Sequence, residues 1–229
     1  GAFWAGNEMG VEQRERGGMG LRRGLLLVAA AAAVSGVLAG LARLGIALAW
    51  GPAHAPSHGT LFVLGFFGTV ISLERAVALG RGWGYAAPSC HALAAIALLA
   101  HARWAAWPAL LGAIGLVLLN VAIVRKQATA FTRMMLLGSL LLVAGVLLLL
   151  LGRPVFVAVW TFIAFFVLTI AAERLELSRL SPTPRWAGLL LGILSYVLAA
   201  SACARALGSE TASRWLGVSL ALVGCWQLS

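Results

Sequence analysis

The chain has 229 residues, 62% of them hydrophobic and only 10% charged, and a net charge of +10. Soluble domains carry about a quarter charged residues, so this composition excludes them, and 27 Gly lying mostly in apolar runs with three Cys also excludes collagen, disordered polar chains and disulfide scaffolds. What remains is an all-α, polytopic transmembrane bundle whose first partner is the lipid bilayer.

Residues 1–20 are rich in Gly, Glu and Arg and read as a disordered or non-native leader, with Met9 or Met19 as a native start. Residues 21–229 form the transmembrane domain. A span needs about 20 apolar residues, and the sequence offers eight candidates at about 22–50, 59–79, 85–106, 107–124, 131–152, 154–176, 184–207 and 212–228. Gly152-Arg153-Pro154 is the turn signal between the fifth and sixth. The eighth is short and ends with the chain, as it would if a longer protein continued beyond it.

Lys and Arg set the orientation. With the N-terminus inside, twelve fall inside (Arg14, Arg16, Arg22, Arg23, Arg75, Arg81, Arg125, Lys126, Arg133, Arg174, Arg179, Arg185) and four outside (Arg103, Arg153, Arg205, Arg214). That bias predicts an inner-membrane protein with both termini in the cytoplasm. Trp50, Trp104, Trp107 and Trp215 fit an interfacial belt. The basic residues sit at the ends of apolar runs and form no basic stripe, so no nucleic-acid partner is expected.

The segment Phe66–Arg75 matches Phe165–Arg174 at five of ten positions, the final Glu-Arg included. This predicts an internal repeat of two four-span units, about 22–124 and 131–228. An even number of spans per unit makes the repeat parallel.

Glu74 and Glu173 stand about one turn from the inner ends of spans two and six. A charge in the membrane is costly and is usually paired. The repeat suggests the cross-pairs Glu74 with Arg174 and Arg75 with Glu173, because adjacent helical residues point about 100° apart. Two readings follow: an ion-pair clasp between the units, or a proton or cation path that Glu176 would extend.

Span two runs outside to inside, which places His54 and His58 at its outer end. Span three runs back, which places His101 at the same face and His91 near the inner end, at the depth of Glu74. Imidazole suits copper, zinc and haem iron. His58, His101 and His54 are therefore candidate ligands of a haem or a metal, against the plain reading of interfacial His. No CxxCH occurs, which excludes covalent haem. Cys90, Cys203 and Cys225 read as small packing residues. Gly59, Gly65 and Gly68 on span two allow close helix packing, or a haem edge lying against Gly65 or Gly68.

The run Ser57-His58-Gly59-Thr60-Leu61-Phe62-Val63-Leu64-Gly65-Phe66 resembles the second helix of the haem–copper oxidase subunit I superfamily, and is similar in style to the NnrS-type haem–copper proteins. In that superfamily a His-Gly at the outer end of the second helix supplies an axial haem ligand, and the bundle is built from parallel four-helix units. The resemblance implies haem b or copper, with His58 as the residue carried over. No His follows His101, and the place of the copper-site segment in span six reads Pro154-Val155-Phe156-Val157-Ala158-Val159-Trp160.

Three functions compete on these residues. One is a haem- or copper-binding protein in electron transfer or in nitric oxide or metal stress. Another is a non-catalytic subunit whose partners are other membrane subunits. A third is a secondary transporter or channel using the paired Glu, although neither repeat shows the broken helix pair typical of such sites. A hydrolase has no support, since Ser57 beside His58 lacks a placed acid and G-x-S-x-G is absent.

Overall fold

The computed structural model describes the backbone of residues 2–46, 51–177 and 185–228, and the side chains of 18–46, 53–177 and 188–226. Trp50 and Arg179 lie outside the described residues, as do the side chains of Arg14, Arg16 and Arg185. Every described element is helical. The helices are α1 (Ala2–Arg43), α2 (Ala55–Leu79, led in by the turn Gly51–His54), α3 (Ala86–Leu99), α4 (Ala106–Lys126), α5 (Ala130–Leu150), α6 (Val155–Leu177), α7 (Arg185–Ala206) and α8 (Thr211–Leu228).

Six of these hold a stretch long and apolar enough to cross a membrane: Gly18–Arg43 of α1, then α2, α4, α5, α6 and Gly188–Ala206 of α7. With no water in the bilayer core, a helix is the form that satisfies every backbone group within one segment. The chain is a polytopic helical membrane protein. The third predicted span is shorter than expected. Its helix stops at Leu99 rather than 106, and 14 residues rise only about 21 Å. The cause is a turn at His101, whose φ is +54°.

Consecutive helices pack side by side, and α1 also reaches α3, α2 reaches α4, α5 reaches α7 and α6 reaches α8. One core runs through both halves, from Val63, Leu64, Ala113 and Leu116 to Phe165, Leu168, Leu198 and Leu216. Small residues allow the close approach. A Cβ on Gly65 would stand 2.9 Å from Ala32 of α1 and 3.1 Å from Ala95 of α3.

The bundle has two distinct ends. Arg22 donates to Tyr85, Lys126 to the Leu79 carbonyl, and Arg75 pairs with Glu173, which gathers α1, α2, α3, α4 and α6 at a basic end. The opposite end carries His54, His58 and His101. Trp104, Trp107 and Trp215 are exposed, as a belt requires.

Candidate functional site

The histidine end begins where α2 begins. Its first turns are irregular: a 3₁₀ turn Ala55–Ser57 with Pro56, one α turn from His58, then a π-helical stretch Leu61–Phe67 before regular helix resumes at Gly68. π-segments are rare and often mark functional sites. The site here sits just ahead of this one.

His54 is buried and its Nε2 lies 3.0 Å from the Leu99 carbonyl oxygen of α3. A carbonyl only accepts, so Nε2 carries a proton and donates. His101 stacks on His54 with ring centroids 4.2 Å apart and planes tilted by 38°. His58 stands apart from this pair. Its Nδ1 is 3.1 Å from the Ala55 carbonyl oxygen and 3.4 Å from Arg43 Nη1. One nitrogen cannot donate to the first and accept from the second in the same tautomer. The shorter contact makes Nδ1 the donor and leaves Arg43 as a packing neighbour. The histidine end thus brings two of the three predicted His together, and among the described residues no three metal-type side chains form one group.

His101 is held there at a conformational cost. Helix α3 ends in a Schellman motif, with His101 N–H donating to Leu98 O and Ala102 N–H to Ala97 O. The same pattern closes α1 at Gly45, α5 at Gly152 and α7 at Gly208, and each of those left-handed residues is Gly. Among the described residues His101 is the one non-Gly residue with positive φ. Such a position costs a side-chain-bearing residue of order 1 kcal/mol.

At the basic end, Arg75 is buried and donates from Nη2 to Glu74 Oε1 at 2.9 Å, while the same nitrogen lies 3.7 Å from Glu173 Oε1 of α6. Of the two expected cross-pairs, Arg75 with Glu173 is present. Glu74 instead pairs with its own neighbour, and Arg174 is exposed with no ion pair among the described residues. The long guanidinium arm reaches back across the 100° that separates adjacent positions. About two turns deeper, Phe67 meets Phe166 edge-on at 4.6 Å. Asn120, buried in α4, donates to the Met135 carbonyl of α5 at 3.3 Å. Sequence reasoning passed over Asn120, although it is the sole Asn inside a predicted span and was visible as such.

His91 is not beside Glu74. It is fully buried midway along the bundle, wedged between Gly68 of α2 and Gly112 of α4. A Cβ on Gly68 would stand 2.5 Å from its Nδ1, and one on Gly112 would stand 2.7 Å from its Cδ2. The Leu64 and Gly112 carbonyls approach the ring, yet neither nitrogen has a partner in hydrogen-bond geometry. The expectation of a haem edge against Gly65 or Gly68 is therefore corrected: Ala32, Ala95 and His91 fill those places.

Residues 22–229 match the family described as a domain of unknown function, DUF8744. The chain belongs to that family. No curated protein and no solved structure matches it. The DUF8744 match spans the whole bundle, both ends included, and assigns neither end a role.

Proposed function

We propose that this DUF8744 chain is a cytoplasmic-membrane protein, N-terminus inside, that holds a copper ion on imidazole at its outer, histidine end. The observation that carries this is the His54–His101 contact: a residue in a left-handed turn where the chain elsewhere uses Gly, stacked on a buried His at the membrane face. Strain kept at one position is a pointer to function. His54 also donates one ring nitrogen to a backbone carbonyl, the arrangement that orients a ligating imidazole. The donors fit copper in type. A copper ion bound there would supply one-electron chemistry, which suits electron transfer or a metal or nitric oxide stress response. His58 shares the carbonyl-bonded arrangement, but the Arg43 cation beside it disfavours a second cation there. The Glu74, Glu173 and Arg75 group reads as a clasp rather than a coupling site, since one guanidinium engages both carboxylates.

The eight helices are read as eight spans in two parallel four-helix units. Supporting this, Phe67 and Phe166 are equivalent residues under the 99-residue offset and touch one another, as residues on a pseudo-twofold axis do. Both halves also share one pattern of helix neighbours.

The test is metal analysis and a reduced-minus-oxidised spectrum on protein purified after growth with copper. Copper bound by the wild type and lost in His54→Ala and His101→Ala is expected. Wild-type copper no higher than in those variants overturns the reading. A b-type band lost in His58→Ala would replace copper by haem.

A further inference from the structure

A groove of about 470 Å³ opens between α5 and α7, away from both sites above. That volume lies within the range of small-molecule sites, about 300–1,000 Å³. Its walls are mostly apolar and include Met134 and Leu137 of α5 with Gly188, Gly192 and Tyr196 of α7. A Cβ on Gly188 or Gly192 would meet nothing within 4 Å, so the floor of the groove is open. Both helices start at the basic end, and Gly188 to Tyr196 spans about 12 Å of depth.

Arg133 stands at the mouth. Its side chain is exposed and makes no ion pair or hydrogen bond among the described residues. It also sits in the first turn of α5, which holds no acidic residue, so its charge adds to the positive end of the helix dipole. An uncompensated cation over an apolar slot calls for an amphiphile with an anionic head. Basic pockets between membrane helices on the cytoplasmic side recognise such headgroups. A second copy of the chain is a poorer occupant, because a twofold seam on this groove would add a second Arg133 to the first.

We propose that the groove between α5 and α7 binds an anionic phospholipid, with its phosphate at Arg133 and an acyl chain along Gly188, Gly192 and Tyr196. The test is native mass spectrometry of the full, delipidated chain in detergent, titrated with phosphatidylglycerol or phosphatidylcholine. The wild type is expected to prefer phosphatidylglycerol. Arg133→Ala should weaken phosphatidylglycerol about five-fold and leave phosphatidylcholine unchanged. Gly192→Leu fills the open floor and should weaken both lipids; Gly188→Leu serves the same purpose if that variant does not fold. Equal binding of the two lipids by the wild type, or phosphatidylglycerol binding unchanged in Arg133→Ala and the filled variant, overturns the proposal. A wild-type dimer that Gly192→Leu converts to monomer also overturns it and gives the groove to a second copy.

Discussion

At the basic end one buried guanidinium joins α2 to α6 through Glu173 while holding Glu74 of its own helix; at the histidine end two imidazoles meet between the start of α2 and the end of α3, within one half of the chain. The first arrangement lowers the cost of a charge near the membrane by pairing it across the halves. The second keeps a strained backbone where Gly would relax it. A clasp needs charge and tolerates exposure of its carboxylates. A ligand site needs lone pairs and accepts some loss of stability. On the proposed reading, assembly falls to one end and copper binding to the other, with the His91 layer between them.

That layer gives the largest expected effect. Gly68→Leu drives a side chain into His91, and His91 has no retreat because Gly112 backs it. Overpacking of this kind costs about 3 kcal/mol. A thermal unfolding series followed by Trp fluorescence in detergent should show it. His91→Ala in the same chain should restore part of the loss, since the two residues share one space. A Gly68→Leu protein as stable as the wild type would mean that the layer does not tie the ends together.

Arg75→Leu breaks the basic end. It leaves Glu74 and Glu173 facing one another without their cation. Both carboxylates are about half exposed, at 55% and 42%, so the cost of a fully buried pair must be discounted to about 2 kcal/mol. Copper content should be unchanged in the folded fraction. Loss of copper here with His54 and His101 intact would join the two ends functionally and dissolve the comparison.

His101→Gly acts at the other end with the opposite sign. Gly adopts the left-handed turn freely, so the variant should gain about 1 kcal/mol while losing its metal. Thermal midpoint and metal content are read on one sample. A variant that is destabilised would show that the His54 stacking outweighs the strain, and the strain argument for function would fall.

Much of this was legible in the sequence. The apolar runs placed six of the eight helices to within about four residues, because hydrophobic length is a strong signal in lipid; α3 stops seven residues early, and α1 is helical from Ala2 to Arg43, which corrects the reading of residues 1–20 as a disordered leader. Gly152-Arg153-Pro154 marked its turn correctly. The Arg75–Glu173 pair followed from the Glu-Arg match between spans two and six. Other features had no local signature. His101 carries no turn residue of its own, so the shortened α3 was hidden inside an apolar run. The π-helical stretch Leu61–Phe67 depends on the fit of α2 against α1 and α3, which no periodicity encodes. His91 was placed by counting from the helix end; what fixes it is the pair of glycines on two other helices.

The smallest effect separates the two carboxylates of the clasp. Glu74 holds Arg75 at 2.9 Å within one helix, whereas Glu173 reaches it at 3.7 Å from the other half. Exposed pairs contribute about 0.5 kcal/mol, and salt screens them. Glu74→Gln should therefore lower the thermal midpoint slightly at low salt and hardly at all at high salt. Glu173→Gln should have a similar size but a different consequence, since it removes the charge that links α6 to α2. Proteolysis at the connection between α4 and α5 reads this directly: faster cleavage in Glu173→Gln than in Glu74→Gln is expected if the clasp joins the halves. Equal cleavage in the two variants would reduce Arg75 to a residue held by its own helix, and the basic end would lose its role in assembly.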